Sequence, residues 1–481
     1  MAYKDLREFL RVLEREGELV RITEPVSPHL EITEITDRVC KQGGPALLFE
    51  QVTGYDAPVV TNAFGSPRRM NLALERNNLD DLAEEIAAFM DPGKPETFLD
   101  KLKLLPKLKR MGSIFPKTVQ NAPCQEVVHP EPDLTKIPVL TCWPRDAGPF
   151  ITLPLVFTRH PETRRPNMGM YRLQVYDGRT TGMHWHTHKG GAQHYRVAEA
   201  LGEPLPVAVA VGAEPVTTYA ATAPLPDDMD ELLLAGFIRR KPVEVVRCKT
   251  VDLKVPAEAE YIIEGCVHPG ERRREGPFGD HTGFYSLADD YPVFHVSCIT
   301  HRKRPIYSAT VVGRPPMEDC YMAKATERVF LPVLKKTLPE IVDLNLPMEG
   351  VFHNLVFVSI RKRYPGHAQK IMHAFWGLGQ MMFAKIIVVF DHWVDVQNVG
   401  EALWVMCNNV DPSRDVSFVQ GPLDALDHAS ALPHLGGKMG LDATRRWPEE
   451  GHTRPWPEVI EMDEAVKRRV DGLWAALKIP R

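Results

Sequence analysis

Between Asn167 and Gly191 the chain reads NMGMYRLQVYDGRTTGMHWHTHKGG. One short stretch thus carries an Asn, an Arg, three alternating histidines, a Lys and a Gly pair. Met170 to Val175 reads as a strand, Asp177-Gly178 as a tight turn, and Met183 to His188 as the returning strand. Side chains alternate along a strand, so His184, His186 and His188 are expected on one face. Three imidazoles beside Asn and Arg are costly as a core and point to a site for a metal, an anion or both. The competing reading is a polar strand facing solvent. Alternate strand histidines do serve as ligands, but zinc sites want further protein ligands from elsewhere. Glu244, in KPVEVVRCK, is a candidate carboxylate partner. Asn with a carboxylate is an oxygen-rich pair that suits a hard ion such as Mg or Mn better than zinc.

Arg172 lies an odd number of residues from Asn167, so strict alternation separates the two unless Gly169 bends the strand. Gly190-Gly191 lets backbone approach a ligand closely. A helix starting near Gln193 would turn its amide end to a phosphate, against the alternative of a plain strand-to-helix turn. A second stretch, EGPFGD from Glu275 to Asp280, holds two carboxylates five residues apart in a Gly/Pro turn, followed by HTGFY. Such a loop can keep an acid near a ligand and partly away from water, which suits it to donate a proton. The plain alternative is a solvated turn in which Asp280 bonds local amides. The C-terminal GGKMGLDAT is glycine-rich but lacks the P-loop spacing.

Three regions position these groups. Leu6, Phe9, Leu10 and Leu13 follow helical spacing, and Gly17 ends that helix before a strand-like ELVRI. Short apolar runs at Ala46 to Phe49 and Pro58 to Asn62, and a helix over Asn78 to Met90, make this first region α/β. It ends near the basic stretch Lys101 to Lys117. From Gln125 to about Pro315 strand candidates dominate: Thr152 to Thr158, the histidine hairpin, Leu205 to Gly212, Val243 to Leu253, Tyr261 to Val267, Pro292 to Thr300 and Ile306 to Gly313. Helical patterns at Gln193 to Leu201 and Asp228 to Arg239 interrupt them. A β-barrel-like middle domain is expected. After Pro316 helix and strand alternate again, which predicts a largely parallel sheet flanked by helices. Asp463 to Leu477 reads as an amphipathic helix that caps this domain or a neighbouring subunit.

The 481 residues are enough for two to three domains. Apolar content of 44% and charged content of 25% are those of a soluble globular protein. A net charge of −5 argues against nucleic-acid binding. The eight cysteines form no CxxC pair, and no apolar run is long enough to span a bilayer. The expectation is a reduced, cytoplasmic protein.

Taken together and in order, NMGMYRLQV with HTHKGGAQH, AEPV…PLPDD, EGPFGDHTGFY, TVVGRPPMED, PEIVDLNLP and GGKMGLDATRRW resemble the UbiD family of reversible aromatic-acid decarboxylases. Asp280 in the last acid position resembles its 4-hydroxy-3-polyprenylbenzoate carboxy-lyase branch more than its cinnamate-type branch. The resemblance implies an α+β multidomain chain: an N-terminal α/β domain over 1–120, a central split β-barrel that binds flavin over 121–316, and a C-terminal α/β oligomerisation domain over 317–481. It implies prenylated FMN, made by a separate flavin prenyltransferase, held through a divalent ion, usually Mn, with potassium nearby. By motif position the metal ligands are Asn167, His188 and Glu244. The cofactor is lined by Met170, Tyr171, Arg172, His184, Trp185, His186, Lys189 and Gly190, with Lys438 a further candidate. The catalytic set is Glu275, Arg172 and Asp280. The expected reaction is non-oxidative decarboxylation of an aromatic acid, read first as a prenyl-tailed hydroxybenzoate on a quinone pathway. A menaquinone-route acid and a small phenolic or heteroaromatic acid are the alternatives. A homo-oligomer, dimer or hexamer, and peripheral contact with the inner membrane are further expectations. Readings from other classes are a metal-dependent hydrolase built on the three histidines and a non-catalytic flavin-binding subunit.

Overall fold

The computed structural model describes residues 2–90, 112, 114–186, 189–225 and 229–477. His188, Asp228 and most of the Lys101 to Lys117 stretch lie outside the described residues.

The first helix, Leu6–Arg15, buries Leu6, Phe9, Leu10 and Leu13 as its periodicity requires. Asp5 caps it by accepting from the Glu8 amide at 2.9 Å. Gly17, at φ +73°, turns the chain into Leu19–Ile22, which pairs in parallel with Ala46–Phe49. Val59–Thr61 continues that sheet, and its fourth strand, Tyr307–Ser308, comes from the far end of the central region. The run expected as a central strand from Ile306 to Gly313 therefore serves the N-terminal sheet instead.

The central region is built on one seven-stranded sheet. Its order is Thr180–Gly182, Asp289–His301, Tyr261–Glu275, Leu205–Val211, Pro154–Arg159, Pro166–Met170, with Val127–His129 also pairing on Asp289–His301. The expectation of a split β-barrel is corrected here: among the described residues no sheet closes on itself. The reason lies at the two edges. Along Pro166–Met170, the outward amides of Met168 and Met170 donate to the Glu231 carboxylate at 2.9 Å and to the Ala221 carbonyl at 3.2 Å. Along Thr180–Gly182, Val175 folds back to bridge Thr181, and the Tyr176 amide donates to the Thr180 carbonyl at 3.0 Å. Each edge spends its ladder groups on non-strand partners, which removes what a closing strand would bond.

The histidine hairpin also differs from its pattern. Regular pairing ends at Gly182, and Met183 to His186 run without strand structure. The expected strand from Met170 is only Leu173–Gln174, paired with Phe150–Ile151. The helix Gly190–Leu201 follows and packs on the sheet.

In the C-terminal region the sheet order is Ile341–Asn345, Leu355–Ile360, Ile386–Asp391, Leu435–Asp442, Val416–Pro422. The three inner strands are parallel and the two edge strands antiparallel. GGKMGLDAT lies in the strand Leu435–Asp442 as far as Asp442. Separate apolar clusters cover the two faces, one centred on Phe375 and Trp376, the other on Phe390 and Val405. The tail helix Glu464–Trp474 buries none of its residues, so it caps nothing in its own chain. All eight cysteines are unpaired. Among the described residues no helix is long and apolar enough to cross a membrane.

Candidate active site

Arg172 follows the strand Pro166–Met170 and projects a guanidinium whose side chain is 10% exposed. Glu275 is the last residue of the long strand Tyr261–Glu275. Gly276, at φ +88°, then turns the chain, and Phe278–Gly279 pairs with Tyr285–Ser286 to form a small hairpin with Asp280 near its tip. This construction brings both acids to one arginine. Arg172 Nε donates to Glu275 Oε1 at 3.1 Å, Nη1 to Asp280 Oδ2, and Nη2 to Ser286 Oγ at 3.2 Å. The guanidinium lies 4.8 Å from the centre of the Phe278 ring, a contact that favours a cation. Both carboxylates are buried rather than solvated, which excludes the plain-turn reading of EGPFGD.

Burial alone would raise the Asp280 carboxyl, but Arg172 and His281 outweigh it and hold it well below the usual range. His281 donates to Asp280 Oδ1 from its backbone amide at 2.7 Å and from Nδ1 at 2.9 Å. Burial depresses His281, and its bond to Asp280 more than offsets this and raises it. Its Nε2 lies 3.0 Å from Nε2 of His353, on the C-terminal region, and its ring stacks on Phe352 at 5.3 Å. His353 is pushed down to about 4 by burial and by the neighbouring His281. One imidazolium donating to one neutral imidazole fits both shifts.

His184 Nδ1 lies 2.7 Å from Glu275 Oε1, and His184 Nε2 lies 3.1 Å from His186 Nε2. Burial, then Arg172, lowers His184, so its ring is neutral, donates from Nδ1 and accepts from His186. Both of its ring nitrogens are spent, which leaves no lone pair for a metal. Among the described residues no three ligating side chains gather in a way that could hold an ion. His188, the third histidine of the hydrolase reading, lies outside the described residues.

Other candidates form a second cluster. The hydroxyl of Tyr171 accepts from the Gly191 amide at 3.4 Å. Among the described residues, the buried Asn167 Nδ2 and Trp185 Nε1 have no hydrogen-bond partner. A Cβ on Gly190 would stand 2.2 Å from Asn167 Oδ1, and one on Gly191 2.5 Å from Trp185 Nε1. Lys189 is the N-cap of the helix Gly190–Leu201, and its side chain caps none of the first amides. Unpartnered buried donors, glycines without room for a side chain and an open helix N-terminus together suit a bound anionic group. Lys189 Nζ donates to Gln380 Oε1 at 3.2 Å. Met170 is half-buried beside this cluster on its strand.

Two predicted positions do not join the site. Glu244 is exposed, in a small separate sheet opposite Lys117. The acid beside Asn167 is Glu231, which accepts from the Met168 amide at 2.9 Å. Nothing in strand alternation marks Glu231, because it arrives from the first turn of the helix Glu231–Arg239. Lys438 is buried in the C-terminal sheet and donates to the carbonyls of Met382 and, at 3.0 Å, Ala384. It braces the turn Gly379–Phe383 that carries Gln380, and so stands behind the Lys189 contact rather than in it. Sequence reasoning also missed His281, His353 and Ser286. His281 follows Asp280 directly and was visible in HTGFY; His353 carries no local signal.

Three family profiles match the chain: the 3-octaprenyl-4-hydroxybenzoate carboxy-lyase N-terminal domain over residues 10–89, its Rift-related domain over 117–315 and its C-terminal domain over 320–443. An uncharacterized protein of Archaeoglobus fulgidus is 54% identical over 480 residues, 99% of each chain. The closed form of vanillic acid decarboxylase from Sedimentibacter hydroxybenzoicus has a TM-score of 0.86 at 31% identity, with all of both chains covered. The UbiD-class enzyme HmfF from Pelotomaculum thermopropionicum, in complex with FMN, has a TM-score of 0.81 at 30% identity, covering 96% of this chain and 98% of that one.

Proposed function

Because the chain belongs to the UbiD family of carboxy-lyases, we propose that it removes CO2 from a small phenolic or heteroaromatic acid with prenylated FMN as cofactor. The observation that carries this reading is the Glu275–Arg172–Asp280 constellation, one cation between two buried acids. The prenyl-tailed hydroxybenzoate gives way to a small acid for two reasons. A vanillic acid decarboxylase matches over the whole chain. Ser286, whose hydroxyl accepts from Arg172 Nη2 at 3.2 Å, is a polar neighbour of the site that suits a ring hydroxyl better than a prenyl tail.

Loss of CO2 from an sp2 carbon leaves an anion with nowhere to delocalise, and a bound prenylated flavin supplies an electron sink for it. The chain supplies the rest. Arg172 can hold the substrate carboxylate through two parallel hydrogen bonds. Glu275, fixed by His184, keeps Arg172 aligned. When Arg172 turns to the substrate, Asp280 loses the cation that keeps it ionised, takes up a proton and delivers it to the carbon that CO2 has left. Trp185, His186, Tyr171 and Lys189-Gly190 are the residues to hold the flavin and its phosphate. Asn167, Glu231 and His188 would hold a divalent ion such as Mn at that phosphate, with potassium nearby; an Asn–carboxylate pair is suited to such an ion.

Purification after co-expression with a flavin prenyltransferase, then a screen for CO2 release from vanillic, dihydroxybenzoic and furoic acids, tests the function. Prenylated flavin by mass spectrometry with turnover of at least one acid is the expected result; flavin-loaded protein inert toward all of them overturns it. Two site predictions accompany it. Glu231→Gln is expected to lose bound metal and flavin while Glu244→Gln keeps both, read by elemental analysis and absorbance. Gly190→Ala is expected to lose flavin without unfolding, because its Cβ would displace the Asn167 side chain. The protein is also proposed to be a homo-oligomer. The tail helix presents Val466, Val470, Leu473 and Trp474 to solvent, a face that a second copy would cover. Light scattering should then show a smaller species when the tail is removed.

A further inference from the structure

Asp280 has to be recharged with a proton in every turnover, and the structure limits where that proton can come from. Its side chain is 7% exposed. Among the described residues its side-chain hydrogen bonds run to Arg172 and His281. A guanidinium does not give up a proton near neutral pH. An imidazolium does. The His281 side chain is 20% exposed, against 7% for Asp280. Its Nδ1 lies on Asp280 Oδ1 at 2.9 Å, and its Nε2 lies 3.0 Å from His353 Nε2. His353 therefore fixes the plane of the ring from the C-terminal side and holds Nδ1 on the acid.

We propose that His281 supplies the proton that Asp280 delivers to product, with His353 positioning its ring. This rests on the decarboxylase reading above. The substrate loses CO2 and keeps the electron pair on carbon. The O–H bond of protonated Asp280 breaks and a C–H bond forms. The Nδ1–H bond of imidazolium His281 then breaks to restore the acid, and neutral His281 takes a proton from solvent. One proton is consumed per CO2 released. His281 acts through Asp280 and is a positioning and proton-supplying residue.

The titratable groups facing His281 come from several elements. Asp280 is its neighbour, Asp319 lies on the first turn of the helix Glu318–Thr337, His353 follows the turn Met348–Gly350, and Asp424 follows the strand Val416–Pro422. Three acids against one neutral ring keep His281 charged to higher pH than an ordinary histidine. Activity should therefore fall on the alkaline side as His281 loses its proton.

The test uses the flavin-loaded enzyme and the phenolic acid that the wild type turns over best. His281→Gln, which keeps bulk and a hydrogen-bonding amide, is expected to lower kcat at least tenfold, leave KM within about twofold and retain flavin, and its alkaline limb should disappear. His281→Asn serves as the second variant if Gln unfolds. Independently, 15N-histidine NMR of the wild type should show His281 titrating above the usual imidazole range and returning toward it in Asp280→Asn. Unchanged kcat, a lowered kcat with the alkaline limb intact, or a His281 titration that ignores Asp280→Asn each overturns the proposal. A wild type that binds flavin but turns over no acid instead overturns the decarboxylase reading, and the two failures are separated by the wild-type assay alone.

Discussion

Asp280→Asn is expected to keep its flavin and lose turnover by about 10²- to 10⁴-fold, the range that one positioned acid contributes. The amide has nearly the shape of the acid but no proton to give. It also places an NH2 group where Asp280 meets either Arg172 or His281, so one of those bonds is lost. The stability of the two proteins should differ with pH in a set direction. The Asp280 carboxyl is depressed in the folded protein, since Arg172 and His281 outweigh burial. Its contribution is therefore present above the unfolded carboxyl value of about 3.9 and is lost as pH falls through the folded one. His281 is raised by the same contact, so its contribution is present below the unfolded value of about 6.5 and is lost as pH rises through the folded one. The wild type should exceed Asp280→Asn in denaturant midpoint most between roughly pH 4 and 6.5, and the gap should narrow on both sides. A constant gap across pH 3 to 9 would show that the ion pair does not form.

Arg172→Lys is expected to fold, to keep flavin and to lose about 10²-fold or more in kcat/KM. The substitution keeps one positive charge. It does not keep the planar fork that serves Glu275, Asp280 and Ser286 in three directions at once. A lysine ammonium can satisfy one acid and leave the other buried carboxylate short of a partner, at a cost of about 1–3 kcal/mol in unfolding free energy. Since Arg172 both orders the acids and holds the substrate carboxylate, KM should rise along with the fall in kcat. Steady-state kinetics on the acid found in the screen separates the two. A lysine enzyme with wild-type constants would mean that charge alone matters at this position.

Much of the frame was legible in the chain because burial leaves a periodic trace. The helix Leu6–Arg15, the strand Leu205–Val211 and the alternation after Pro316 all appear where their apolar spacing puts them. The catalytic trio was legible only as a resemblance of motifs, since its members lie 103 and 108 residues apart and nothing local ties them. Where local pattern was read literally it failed. The histidine repeat predicted one strand face, yet the strand stops at Gly182 and the two described histidines bond each other and Glu275. The strand count predicted a barrel, yet edge amides bonded to Glu231 and Ala221 leave the sheet open.

By itself the sequence determined most of the helices and strands outside the histidine hairpin, the family, and the residue types of the site, because side-chain chemistry and apolar period are local properties. Tertiary structure alone decided that Glu231 rather than Glu244 stands beside Asn167, that Lys438 braces a turn, and that His353 reaches across to His281. Those pairings depend on sheet register and on how the C-terminal region packs against the loop Asp280–Phe284. Register and packing are set by the sum of many weak long-range contacts, and no single stretch of chain records them.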